Sequence, residues 1–234
     1  MLYVYLPANY HAQQNHIKQR RGMHSSNPNF GALVGKVVCQ GSLTKFRRKQ
    51  IIFLQGNRGH SIFYIEKGSV KLTVTSKLGR AIILDVLASG EFFGEDSVAC
   101  QINLYSAIAL TDIQTVRIDR HRVMDVLRTD PNSSYSFGLY LLRRTREIQQ
   151  RLADTLLNPS ELRLVRTLSW LAEKADDGNV PRVSQQSLGE MIGASRQRVN
   201  VLLTALKKSG VLGYDGGWIV HRAGAARSRE QRAR

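Results

Sequence analysis

Gln185-Gln186-Ser187-Leu188-Gly189-Glu190-Met191-Ile192-Gly193-Ala194-Ser195-Arg196-Gln197-Arg198-Val199-Asn200-Val201-Leu202-Leu203 is the stretch on which the reading of this chain turns. It describes two short helices that cross steeply within three or four residues. Such a crossing needs a small residue at the contact, a turn residue that tolerates positive φ, and an apolar wedge between the helices. Gly189 meets the first need and Gly193 the second, while Leu188, Ile192, Ala194, Val199 and Leu202 fall on the inner faces. Ser184 and Ser195 each stand where a hydroxyl accepts from the orphan N–H groups of a helix start.

The first exposed turn of the second helix then carries Arg196, Gln197, Arg198 and Asn200, and no acid. Arg suits the O6/N7 edge of guanine, and Gln or Asn the N6/N7 edge of adenine. An ordinary αα-hairpin with a solvated face would more often show Glu and Lys pairs. The stretch therefore predicts a helix-turn-helix that reads the major groove of double-stranded DNA. Arg196 and Gln197 are the predicted base readers; Arg198, Asn200, Ser184 and Ser195 contribute base or phosphate contacts. A capped helix start also offers N–H groups to a phosphate. Gly210-Val211-Leu212-Gly213-Tyr214 and Gly217-Trp218-Ile219-Val220-His221 bracket Asp215-Gly216, which predicts a hairpin and hence a winged variant of the motif.

Charge supports the same partner. The 234 residues carry a formal net charge of +16, and it is unevenly spread. Residues 1–50 hold eight Lys or Arg and no acid, residues 51–159 hold thirteen against eleven, and residues 160–234 thirteen against seven. A near-neutral middle with basic ends places the polyanion-facing surface at the ends. Residues 1–30, rich in Gln, Asn, His and Ser and without apolar periodicity, read as a disordered extension to which no role is assigned. Residues 223–234 read as a basic tail.

Between Lys45 and Asp119 the period is that of strands. Short β-branched runs occur at 51–54, 61–65, 69–74 and 81–87, the third alternating apolar and polar residues. With Gly59 set aside, glycines at 56, 68, 79, 90 and 94 leave three successive gaps of 12, 11 and 11 residues. That punctuation predicts a compact antiparallel roll or barrel and argues against a Rossmann sheet. A short helix follows over 121–128, stopped by Asp130-Pro131. One long helix then runs from about Ser133 to Leu157, with Leu141, Thr145, Ile148, Leu152 and Thr155 along one side. Arg143, Arg144, Arg146, Glu147 and Arg151 occupy its other faces. Such a helix must lean on its own domain or on a twin, and the pattern leaves both open. Asn158-Pro159-Ser160 makes a hinge.

Cys39 and Cys100 have no CxxC or His-rich company, so they are read as buried free thiols in a reducing compartment. The apolar run at residues 1–6 is too short for a signal sequence, and no stretch approaches a membrane span. A soluble, cytoplasmic protein is expected, with no metal site.

A glycine-spaced roll, a long helix and a winged helix-turn-helix together resemble the Crp/Fnr superfamily of bacterial transcription regulators, the relatives of the cyclic-AMP receptor protein. The resemblance runs from about residue 45 to 222 and is most specific at Gly90-Glu91-Phe92-Phe93-Gly94-Glu95 and at the helix-turn-helix. It implies an α+β fold: a β-roll sensor domain over 31–132, a dimerisation helix and hinge over 133–158, and a winged helix-turn-helix domain over 159–222. It also settles the long helix in favour of a homodimer through Leu141, Thr145, Ile148 and Leu152. Expected partners are a palindromic operator, a second copy and RNA polymerase, with no membrane.

The effector pocket departs from the family pattern. Cyclic-nucleotide binders use a Gly-Glu pair at the ribose and an Arg-Ser pair at the cyclic phosphate. Gly94-Glu95 match the first, but Tyr105-Ser106 stand at the second, where no guanidinium neutralises a buried phosphate. Ile148 and Gln149 stand about where the cyclic-AMP receptor protein has the hydroxyl pair that contacts adenine. The expected regulator thus does not bind cyclic AMP in the usual way, and Glu95 is read as a structural carboxylate held by backbone N–H groups. No effector or cofactor is assigned. The cysteine cluster of redox-sensing relatives is missing, and His60 and His121 are each too isolated to suggest a haem ligand. At the recognition helix the best-known members carry Glu in place of Gln197 and Arg in place of Val201, so their operators are not expected here. The alternatives are a cyclic-nucleotide-responsive regulator, a binder that coats DNA through charge alone, and an enzyme. The last lacks any Ser/His/Asp set, phosphate-cradling loop or carboxylate pair.

Overall fold

The computed structural model describes residues 28–174, 183–210, 212–214 and 218–220. In chain order these form α1 (Pro28–Val38), β1 (Ser42–Phe46), β2 (Ile51–Phe53), β3 (Ser61–Lys67), β4 (Val70–Thr75), β5 (Ala81–Leu87), β6 (Phe92–Phe93), α2 (Asp96–Cys100), β7 (Ser106–Ala109) and β8 (Ile113–Asp119). The helices α3 (Arg120–Thr129), α4 (Pro131–Leu157), α5 (Ser160–Lys174), α6 (Gln185–Ile192) and α7 (Arg196–Lys208) follow, and β9 (Leu212–Tyr214) and β10 (Trp218–Val220) close the order. The expected extension over 1–30 lies outside the described residues apart from 28–30, and so does the tail over 223–234.

Two four-stranded antiparallel sheets, ordered β1-β8-β3-β6 and β2-β7-β4-β5, face each other and make the expected roll. Ile65, Val70, Leu72, Leu87, Phe93, Ala107 and Ile113 fill the space between them. Phe63 and Phe93 stack there with ring centroids 4.9 Å apart. The glycines at 56, 68, 79, 90 and 94 all have positive φ. Gly68 illustrates why no other residue serves, since a Cβ there would also meet the Asp112 carbonyl oxygen at 2.5 Å. A second core covers the outer side of β3 and β8, where Leu33 and Val37 of α1, Val123 and Val126 of α3, and Phe137 and Tyr140 of α4 converge.

The short helix and the long helix begin where turn chemistry places them. The Asp119 side chain accepts from the His121 N–H at the start of α3. Pro131 opens α4 in the first turn, where its missing N–H costs nothing. At the end of α4, Asn158 donates to Asp154 Oδ1 at 2.9 Å, and Arg166 of α5 pairs with the same carboxylate. The expected hinge is therefore braced from both sides.

The third core belongs to the C-terminal domain: Leu164, Leu168 and Leu171 of α5, Leu188 and Ile192 of α6, and Val199, Leu202 and Leu206 of α7. It also takes in Ile83 and Val86 of β5. Residues three apart on a regular strand point to opposite faces. Here Leu72 pairs with Asp85 and Thr73 with Ile83, so Leu84 is skipped, and this bulge lets both apolar side chains meet the C-terminal domain. The expected hairpin is present, with Trp218 opposite Tyr214 and Val220 opposite Leu212. Its Asp215-Gly216 turn lies outside the described residues.

Two expectations are corrected. Cys39 and Cys100 are both exposed rather than buried. Cys39 directly follows α1 and Cys100 closes α2, where the chain turns into solvent. Arg144, read as lying off the apolar side of the long helix, is buried, because α4 lies along the roll and turns that side inward.

Candidate DNA-binding and effector sites

The helix-turn-helix is built as its composition requires. The Ser184 hydroxyl accepts from the Ser187 N–H at 3.0 Å, and that of Ser195 from the Arg198 N–H at 3.2 Å. Gly193 has φ +64°. A Cβ on Gly189 would stand 2.6 Å from the Ala194 carbonyl oxygen, so the close approach of the two helices depends on its absence. Leu188, Ile192, Val199 and Leu202 are buried between the helices, and Ala194 is half-buried.

Arg196, Gln197, Arg198, Asn200 and Val201 are all exposed at the start of α7. They are not equivalent. Among the described residues, no hydrogen bond holds the side chains of Arg196 and Gln197, which leaves them free to meet a ligand. Arg198 donates through Nε to the Ser160 hydroxyl at 3.3 Å, and Asn200 accepts through Oδ1 from Gln185 at 3.2 Å. An Asn whose carbonyl is already engaged does not present the donor–acceptor pair that adenine requires. These two side chains are fixed in place, which suits phosphate contacts.

The expected effector residues divide. Gly94, Glu95 and Tyr105 come together inside the roll. The Gly94 N–H donates to the Tyr105 hydroxyl at 2.9 Å, and that hydroxyl donates to Glu95 Oε2 at 3.3 Å. Ser106 on β7 accepts from the Gln55 N–H at 2.9 Å. Ile148 and Gln149 are exposed on α4. What α4 brings to the roll instead is Arg144. Its guanidinium pairs with Glu95, donates to the Phe92 carbonyl at 3.0 Å, and reaches Asp85 Oδ2 at 3.5 Å. Tyr140, one turn earlier, donates to that same carbonyl and accepts from the Phe92 N–H, both at 3.0 Å. Glu95 is thus held chiefly by the Arg144 guanidinium, with its own backbone N–H and the Tyr105 hydroxyl adding to it, and not by backbone N–H groups alone as expected.

Burial pushes the Glu95 carboxyl above its ordinary value, and the Arg144 charge opposes that push. Burial also works against the Arg144 charge, but Glu95, Tyr140 and Asp85 outweigh it and hold the guanidinium ionised. Desolvation, followed by the neighbouring carboxylates, keeps the Tyr105 hydroxyl protonated well above its usual range. The site is a network in which two carboxylates, two phenols and a guanidinium meet at the Phe92 backbone.

Arg144 and Asp85 carried no sequence signal as site residues; helical periodicity placed the first off the apolar side of the long helix. His60 and His121 are exposed, and no group of three metal-ligating side chains occurs among the described residues. No helix among them is long and apolar enough to cross a membrane.

A β-roll joined by a long helix to a capped, basic helix-turn-helix defines a two-domain DNA-binding regulator. Residues 43–130 match the cyclic nucleotide-binding domain and residues 162–225 the Crp-like helix-turn-helix domain. The chain belongs to the Crp/Fnr superfamily and is a DNA-binding transcription regulator of that type. It is 26% identical over 195 residues to the cAMP-activated global transcriptional regulator Vfr of Pseudomonas aeruginosa, covering 79% of this chain and 91% of that one. It is 27% identical over 178 residues to a CRP-like cAMP-activated global transcriptional regulator of Mycobacterium tuberculosis, covering 73% and 80%. Among solved structures, the c-di-GMP responsive regulator CLP of Xanthomonas campestris superposes with TM-score 0.71 at 21% identity, over 82% of this chain and 100% of that one. FixK2 of Bradyrhizobium japonicum does so with TM-score 0.72 at 18% identity, over 82% and 96%. Those two likenesses concern the fold.

Proposed function

We propose that this chain is a homodimeric cytoplasmic regulator of a two-fold-symmetric operator, acting with RNA polymerase, whose sensor roll does not take cyclic AMP in the usual way. The observation that carries the DNA half is the exposed Arg196-Gln197 pair at a capped helix start, backed by two side chains already fixed in place. Two copies joined along α4 would set their recognition helices about one helical turn of DNA apart, roughly 34 Å. The ligand half rests on Gly94 and Glu95. Their N–H and carboxylate, the groups a cyclic nucleotide would need, are engaged by Tyr105 and Arg144 of the same chain.

Selection of bound sequences from a random DNA pool tests the first half; the expected product is a palindrome whose half-site differs from those of the best-known relatives. Enrichment of no sequence, with strongly salt-dependent binding, would favour coating through charge alone. A second reading, a cyclic-nucleotide-responsive regulator, is favoured by the domain match over residues 43–130 and by the cAMP-activated relatives. Thermal melting with cyclic AMP or cyclic GMP decides between them. A flat titration supports the first reading, and a saturable rise at micromolar nucleotide supports the second.

A further inference from the structure

Asp85 lies where the roll, the long helix and the DNA-binding domain meet. The bulge at Leu84 that turns Ile83 and Val86 toward the C-terminal domain leaves Asp85 between them, 4% exposed. Its carboxylate takes Arg144 on Oδ2 and Arg151 on Oδ1, the latter at 2.7 Å. Arg144 leads back to Glu95 in the roll. Arg151 leads outward: its guanidinium carbon lies 5.0 Å from the centroid of the Trp170 ring on α5. Lys71 of β4 adds a parallel contact, with Nζ 3.9 Å from Glu190 Oε2 on α6.

We propose that Asp85 is a positioning residue for the DNA-binding domain: through Arg151 on Trp170 it ties the pose of that domain to the Glu95–Arg144 network of the roll. The residue types suit the role. A buried carboxylate needs charged donors, and a guanidinium can pair with it through its N–H groups while its carbon sits over an indole ring. A change at Glu95 that shifts Arg144 thereby alters what Asp85 offers to Arg151, about two turns before the hinge. The role deepens the regulator reading, and its test needs no DNA, so the two stand or fall separately.

The discriminating variant is Arg151→Met in the full chain. It leaves the Arg144–Asp85 pair intact and cuts the link to Trp170. Hydrogen exchange of the native protein is expected to quicken about threefold to tenfold in α6 and β5, the weight of one such cation–π contact. Exchange in α3 and β8 stays unchanged. Arg151→Lys, which keeps the charge and loses the guanidinium, gives an intermediate effect. Trp170→Phe, which keeps an aromatic face, gives little. Asp85→Asn is expected to match or exceed Arg151→Met, and the double variant adds little to the larger single effect. Unchanged exchange in α6 for Arg151→Met would overturn the role. So would a uniform rise through the whole chain, which would mark ordinary destabilisation.

Discussion

Arg144 on the long helix pairs with Glu95 in the roll, and this contact joins the sensor module to the helix that leads to the DNA-binding domain. The Arg144 side chain is only 9% exposed and that of Glu95 14%, so solvent screens the pair weakly. Removing one partner strands the other. Arg144→Met is expected to lower the unfolding free energy by about 3–5 kcal/mol, because Glu95 is left as an uncompensated buried carboxylate. Adding Glu95→Leu to Arg144→Met should recover much of that loss, since two apolar groups tolerate the site better than one bare charge. Urea unfolding of the two variants checks the order; equal losses would mean that the pair is not coupled.

The two glycines of the helix-turn-helix predict losses of different kinds. Gly193→Ala adds a methyl where the nearest atoms are 3.9 and 4.0 Å away, so only the left-handed backbone resists it. The expected cost is about 1–2 kcal/mol. Gly189→Ala drives a Cβ to 2.6 Å from a backbone oxygen that cannot turn aside. It should cost about 1–3 kcal/mol, and it alone should shift α7 against α6 and weaken DNA binding beyond its effect on stability. Thermal melts read beside DNA titrations at a temperature where both variants are folded separate the two.

How much of this was legible in the sequence follows from the range of each cause. Ser184, Gly189, Gly193 and Ser195 act within a few residues of themselves, so caps, turn and crossing could all be read before any coordinate. The roll was legible for the same reason, through its spaced turn glycines. Arg144 was not, because its burial depends on how α4 lies against β5 and β6, and periodicity alone puts an arginine in solvent. The cysteines were misread on a general tendency of thiols to be buried, which the two helix ends override. Helix α1 was not expected because it begins at the end of a polar stretch, although Leu33 and Val37, four apart, carried a signal for it. The Leu84 bulge had no sequence signal at all; it is visible only in the pairing with β4.

Asp130 predicts a pH effect with a definite sign. Hydrogen bonds from Lys36 and then Ser133 hold its carboxyl below the ordinary value of 3.8, with the Lys36 Nζ 2.5 Å from Oδ2. The folded chain therefore binds this proton more weakly than the unfolded chain. The resulting stabilisation is present above 3.8 and is lost as pH falls through the lowered native value. Lys36→Met should melt at a lower temperature than the parent near neutrality and close the gap in acid. Parallel curves from about pH 5 down to about pH 1, the range in which such a lowered carboxylate gives up its contribution, would count against this role for Lys36.

Arg196 and Arg198 should fail differently. Arg196, unheld, is assigned to a base edge, so Arg196→Ala should cost about 1–3 kcal/mol and relax preference at one operator position. Arg198, fixed on Ser160, is assigned to phosphate. Arg198→Ala should weaken all sequences alike and reduce the salt slope by about one. Binding to a panel of single-base operator variants at several salt concentrations distinguishes them; a uniform loss from Arg196→Ala would move that residue to the phosphate set.

The outer side of α4 supplies the last test. Leu142, Ile148, Leu152 and Leu156 are exposed in the single chain, Leu152 at 58% and Leu156 at 74%, whereas Leu141, expected in the dimer row, packs against the second core of its own chain. Apolar side chains in such a row on a long helix are costly to leave in water, and Ile148, Leu152 and Leu156, four residues apart, form a stripe that a twin helix would cover. Leu152→Glu places a charge in that seam and touches nothing in the chain's own core. Sedimentation should then show monomer where the parent shows dimer, with the fold of the monomer intact by circular dichroism. Operator affinity should fall far more than half-site affinity, because two linked half-sites gain from each other only while the copies stay joined. A Leu152→Glu protein that still sediments as a dimer would place the seam elsewhere.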